Sequence, residues 1–310
     1  MSGLRRPTAA EIEECLTHPA QVLDTAAGPL EYGERGQGPP LLAVHGAPGG
    51  YDQGLGLAEF FRINGFKTIA PSRPGYLGTP VATGRTPEEQ ADALAALLDA
   101  LKIEKIPVIG ASGGGPPSYL LAARHPQRVS CLLEVSSVCM ELKPNVTQTL
   151  ENKFLLSKAG IWLMRFCMDH FPECMVKNFL KIESTSDRQE IAAMAREILK
   201  DESKLAFLKF FMATMSERLP ERRDGLQNDT VQIGSITQLD LAPIACPTLI
   251  IHGRADNRVP PRHGEYARAS IAHAELYWIR GGSHLGFWLA GEAYTAQDFA
   301  ISWLREKIKP

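Results

Sequence analysis

The pentapeptide Gly110-Ala111-Ser112-Gly113-Gly114 follows an apolar run, residues 106–110 (IPVIG), and precedes a stretch of helical pattern, residues 117–125. A serine in G-x-S-x-G spacing, set between a strand and a helix, is placed for nucleophilic attack. Its neighbours must be small, because the serine backbone is strained and the strand meets the helix closely there. The turn also sets the hydroxyl at a helix N-terminus, where free amides favour developing negative charge. An ordinary glycine-rich turn has the same composition. A Walker A phosphate loop would end in G-K-[ST], which this segment does not.

A serine nucleophile needs a base, an acid behind it and donors for an oxyanion. His284, in Gly281-Gly282-Ser283-His284-Leu285-Gly286-Phe287, follows a predicted strand in a glycine-containing loop that lets it swing toward a sheet edge. Among the other histidines, His125 reads as a helix end and His45 as structural. His263 and His273 lie near helix or loop ends, and His18 and His170 lack catalytic context. Asp256, in His252-Gly253-Arg254-Ala255-Asp256, lies just beyond another strand, and the order Ser112, Asp256, His284 is that of a serine triad built on an α/β sheet. Glu134, on the strand after the nucleophile helix, is a competing acid; strand residue or salt-bridge partner is its plainer role. The loop His45-Gly46-Ala47-Pro48-Gly49-Gly50 follows the first core strand, so Ala47 and Gly113 are expected to supply the two oxyanion amides.

These residues need a scaffold, and the pattern supplies one. Short apolar runs at residues 40–45, 67–71, 106–110, 129–135, 246–252 and 274–279 read as buried strands, with helices between them. Thr86-Pro87-Glu88-Glu89 is a capping box that opens one such helix, and residues 291–307 form the last. The alternation predicts an α/β fold: a mostly parallel central sheet with helices on both faces. From about Pro144 the pattern turns helical, with amphipathic stretches at residues 150–171 and 191–215. The expected organisation is a core at 1–143, an inserted helical cap at 144–235 and the rest of the core at 236–310. An acidic helical stretch at residues 9–16 either packs on the core or belongs to an interface.

Composition removes several function classes. The 310 residues carry 33 basic and 35 acidic side chains, a net charge of −2 that gives no general attraction for nucleic acid or anionic membrane. No apolar run reaches transmembrane length, and the N-terminus has no signal-peptide core, so a cytoplasmic location is expected. The six cysteines form no C-x-x-C pair or zinc-finger spacing and read as reduced thiols.

Taken together, HGAPGG, SRPGY, GASGGG, HGRADNRVP and GGSHLGF make the chain resemble the α/β-hydrolase fold family, in particular its cap-containing serine hydrolases such as monoalkyl phthalate hydrolases. The resemblance spans residues 45–287. It implies a carboxylic ester hydrolase acting through an acyl-enzyme, with no metal or organic cofactor, on a small-molecule ester or half-ester, as a monomer or homodimer. Caps of this family shape substrate access, and the aromatic and methionine stripe of residues 144–235 offers pocket candidates. Trp162, Phe166, Phe211 and Met215, with Leu285 beside the base, are the expected substrate contacts. A substrate carboxylate would favour a cation nearby, for which Arg73, Arg165, Arg254 and Arg258 are candidates. Ser112 speaks against epoxide hydrolases and haloalkane dehalogenases, which need a carboxylate nucleophile. Proline iminopeptidases resemble the layout but carry Trp where Gly113 stands. A carbon–carbon bond hydrolase uses the same triad, and some members of the fold only bind small ligands.

Overall fold

Eight strands make one sheet in the computed structural model, which describes residues 3–142 and 157–308. They are β1 (Gln21–Thr25), β2 (Gly28–Arg35), β3 (Pro40–Val44), β4 (Lys67–Pro71), β5 (Ile106–Ala111), β6 (Val129–Val135), β7 (Thr248–Gly253) and β8 (Ala274–Ile279). Their spatial order is β1-β2-β4-β3-β5-β6-β7-β8. The pairs β1–β2 and β2–β4 are antiparallel, and every later pair is parallel. The six strands expected from apolar runs are all present, with ends shifted by at most two residues. The hairpin β1–β2 was not anticipated, because QVLDT alternates polar and apolar residues at a half-exposed edge and carries no apolar run.

The parallel strands are buried on both faces, which explains their unbroken apolar runs. Alternate residues serve two cores. Leu41, Ala43, Ile109, Leu133 and Ile251 face one, while Leu42, Val44, Val108, Leu132 and Ile250 face the other. Helices α1 (Ala9–Thr17), α2 (Tyr51–Leu57), α3 (Glu59–Ile63), α4 (Pro87–Ala100) and α5 (Gly115–Arg124) belong to the first part of the chain. The Thr86–Glu89 capping box of α4 is formed in both directions. Of the two open roles for the N-terminal helix, the structure shows core packing: Ile12 and Cys15 of α1 are buried.

Strand order positions the site. After β3 the chain adds β4 on one side and β5 on the other, so the loops after β3 and β5 diverge around one crevice at the carboxyl ends of these strands. The loops after β7 and β8 leave from the same edge, because all these strands are parallel.

Between β6 and β7 the described residues form helices and no strand: Lys158–His170, Pro172–Glu183, Arg188–Lys200, Glu202–Ser216 and Leu219–Ser235. The start of the expected helix 150–171, and the boundary at 143/144, lie outside the described residues. The expected helix 191–215 is in fact two helices. Asp201 breaks it, its carboxylate accepting from the Lys204 amide to cap the second helix.

Candidate active site

Ser112 is the first residue of a single helical turn, Ser112–Gly114, that links β5 to α5. Its φ is +53°, a left-handed conformation that costs a non-glycine residue energy and lifts the side chain off the sheet. Glycines on either side make this possible. A Cβ on Gly114 would lie 2.5 Å from the His45 carbonyl oxygen, and one on Gly110 would lie 2.1 Å from Ser118 Oγ and 2.6 Å from Glu134 Oε2.

Ser112 Oγ lies 2.9 Å from His284 Nε2, and His284 Nδ1 lies 2.9 Å from Asp256 Oδ2. The other Asp256 oxygen accepts the backbone amides of Arg258 (2.8 Å) and Val259 (2.9 Å), so the carboxylate cannot rotate away from the imidazole. Burial works against an ionised Asp256, but His284, with His252 and the Val259 amide, outweighs it and holds the acid below its ordinary range. Burial likewise opposes a charged His284, yet the adjacent Asp256 carboxylate prevails and the histidine is pushed up.

The loop after β3 is fixed from three sides. His45 is structural, as expected: Nε2 accepts the Arg73 amide (2.9 Å), which leaves Nδ1 to donate to Gly46 O (2.6 Å). Burial, reinforced by Arg73, keeps it neutral. Gln53 accepts the Gly46 amide at Oε1 (3.1 Å) and donates to Pro48 O (2.8 Å). Arg73 donates to His45 O and Gly46 O, each at 3.0 Å, and grips Asp229 of Leu219–Ser235 with both arms, at 2.9 and 2.5 Å. Ala47 and Gly113 face each other across the cavity floor: a Cβ on Gly113 would lie 3.3 Å from the Ala47 Cβ and 3.6 Å from its amide nitrogen.

A cavity of about 200 Å³ opens above Ser112. It is bordered by Phe211, Met215 and Leu285, three of the five expected substrate contacts. Trp162 and Phe166 are corrected: both are exposed (65% and 38%), stacked on each other at 5.5 Å and absent from the cavity wall. They stand one turn apart on a helix face turned to solvent, while Met168 occupies the buried face. Aromatic spacing alone does not say which face the core covers. Phe211 reaches the cavity through a stack that runs from Phe211 to Phe207 and on to Trp288.

The arginine candidates separate clearly. Arg73 is buried in its ion pair and turned to the loop carbonyls, so it is no substrate ligand. Arg254 is exposed and lies over Trp278. The side chain of Arg165, like those of Met164 and of residues 154–156, lies outside what the structure describes. Arg258 borders the cavity. Glu134 takes no salt bridge among the described residues. It is fully buried, with Oε1 2.5 Å from Ser118 Oγ, and burial pushes its acid up to about 8. Sequence reasoning missed Glu183, Gln53 and Trp288, all on the cavity wall; none stands in a motif that would single it out.

Comparison with known proteins agrees with this architecture. Residues 39–290 match the family model described as alpha/beta hydrolase fold. An uncharacterized hydrolase of Bacillus subtilis is 30% identical, over 89% of this chain and 95% of its own length. A 2-hydroxy-6-oxo-6-phenylhexa-2,4-dienoate hydrolase of Comamonas testosteroni is 23% identical, over 90% of this chain and 92% of its own. Among solved structures, an alpha/beta hydrolase fold protein from Nakamurella multipartita superposes with a TM-score of 0.86 at 36% identity, covering 93% of this chain and 99% of that one.

Proposed function

This chain belongs to the α/β-hydrolase fold family, and from that premise we propose that it is a serine hydrolase cleaving carboxylic ester bonds of small to medium substrates. One observation carries the reading: Ser112, His284 and Asp256 are joined by two 2.9 Å contacts, with Ser112 and His284 bordering a cavity and Asp256 buried behind them. In this scheme Ser112 Oγ attacks the ester carbonyl while His284 Nε2 takes its proton. Asp256 holds the imidazole with Nδ1–H toward itself and stabilises the imidazolium. The Ala47 and Gly113 amides donate hydrogen bonds to the developing oxyanion. His284 then gives its proton to the leaving alcohol, and water activated by the same histidine releases the acid. The helices between residues 158 and 235 act as the cap, since Phe211, Met215 and Ile233 wall the cavity from that side.

The test is hydrolysis of p-nitrophenyl esters, with labelling by a serine-reactive phosphonate, for wild type and Ser112→Ala. The variant is expected to lose at least about a thousandfold in rate, and all labelling, while keeping its fold. Equal activity in the two proteins would remove Ser112 from its role. A second reading, carbon–carbon bond hydrolysis, is favoured by the likeness to the dienoate hydrolase. Turnover of a 2-hydroxy-6-oxo-dienoate by a wild type inert toward every ester would put that reading first.

A further inference from the structure

Beside the triad, the cavity wall holds a charge pair that the ester scheme does not use. Glu183 ends the helix Pro172–Glu183, and Arg258 follows Asp256 by two residues. Both border the cavity, with Arg258 Nε 3.7 Å from Glu183 Oε1. That separation is too long for a hydrogen bond, so the pair is a Coulombic contact in which Glu183 offsets the Arg258 charge.

The two partners differ in freedom. Glu183 is buried and its backbone is stitched to the triad loops. Its carbonyl accepts the amides of Asn257 (3.2 Å) and His284 (3.1 Å), and the Thr185 amide donates to Ala255 O (2.8 Å). The Arg258 side chain is a quarter exposed. The other wall carboxylate, Asp229, is already gripped by Arg73. Among the described residues of the wall, then, Arg258 is the one arginine or lysine, and Glu183 is the acid that faces it. Asp256 and His284 are the remaining ionisable groups near Glu183.

We propose that Glu183 is a specificity-determining residue that neutralises the charge of Arg258, so that the site prefers neutral esters over esters bearing a free carboxylate. The inference rests on the serine-hydrolase reading and names its substrate class. A carboxylate approaching Arg258 meets the Glu183 charge at nearly the same distance, and repulsion offsets most of the attraction. A neutral group meets a wall whose charges cancel. Without Glu183, the arginine fork is open to a bidentate contact with an anion.

Burial pushes the Glu183 acid up, with Arg258 and His284 opposing it, so the experiment compares benzoate with its neutral analogue benzamide by calorimetric titration at about pH 8 and again at about pH 9, well above the ordinary glutamate value. Wild type should bind benzamide at least as well as benzoate. Glu183→Gln and Glu183→Ala should each raise the benzoate-to-benzamide affinity ratio about tenfold. Adding Arg258→Gln should return the ratio to the wild-type value. The kcat/KM ratio of a monoalkyl to a dialkyl phthalate should rise with the binding ratio. An unchanged ratio in folded Glu183 variants overturns the proposal, as does a wild type that already prefers benzoate. Because binding is read without turnover, the two ideas fail separately. A shifted ratio in a protein that hydrolyses no ester keeps the charge filter and removes the esterase reading. Ester turnover with an unmoved ratio does the reverse.

Discussion

At the scale of single residues, two of the groups that titrate away from their ordinary values, His284 and Glu134, have opposite consequences. In the proposed mechanism His284 must be neutral to accept the Ser112 proton, and burial is outweighed by Asp256, so its pKa lies above the ordinary 6.5. Activity should therefore fall as pH drops, with the acidic limb of kcat/KM centred above that value; a limb at or below it would mean that Asp256 does not control the base. Glu134 lies behind the nucleophile turn and keeps its proton to about pH 8, whereas an unfolded glutamate releases it near 4.5. Between those values the folded state binds more protons, so this residue makes stability fall as pH rises and level off above about 8. Glutamine keeps the contact to Ser118 and does not titrate. Glu134→Gln should gain stability over wild type across that window, on the order of 2–4 kcal/mol at its upper end, as read by urea unfolding. A constant difference across the window would count against a buried neutral acid.

At the scale of elements, the helix Leu219–Ser235 is tied to the core by two buried ion pairs. Arg222 meets Asp52 of α2 at 3.1 and 2.5 Å, and Asp229 meets Arg73. Removing one partner of such a pair leaves an uncompensated buried charge, which costs about 3–5 kcal/mol. Asp229→Asn should lose stability on that scale. It should also lower kcat more than it raises KM, because Arg73 positions the Gly46 carbonyl and the loop that carries the Ala47 amide. Chemical denaturation and steady-state kinetics on the same preparation check both. A variant that unfolds earlier with unaltered kinetics would confine Asp229 to a structural role.

At the scale of the whole molecule, the cavity lies where the segments after β3, β5, β6, β7 and β8 meet the helices between β6 and β7. Its volume of about 200 Å³ suits a group little larger than benzene. p-Nitrophenyl acetate and butyrate should be turned over at least about tenfold faster than the palmitate, since longer chains must leave the cavity and gain little further burial. Trp162→Ala should leave this profile within about twofold, because its ring faces solvent. A profile rising toward palmitate would mean that the helices open much further than this arrangement.

The sequence determined the candidate triad and most of the sheet. Strands buried on both faces must be apolar along their whole length, so they could be read directly, and the nucleophile turn, the acid loop and the base loop each follow such a strand. The order of Ser112, Asp256 and His284 along the chain then sufficed to name them. Only the tertiary structure decided which side chains border the cavity. Trp162 and Phe211 are both aromatic residues on amphipathic helices, and nothing local says that one faces water and the other Ser112. Glu183 and Arg258 are 75 positions apart and meet because a helix end is hydrogen-bonded to the acid loop. Arg73 and Asp229 are joined only because packing buries both. Periodicity records which residues avoid water; it does not record what each will touch.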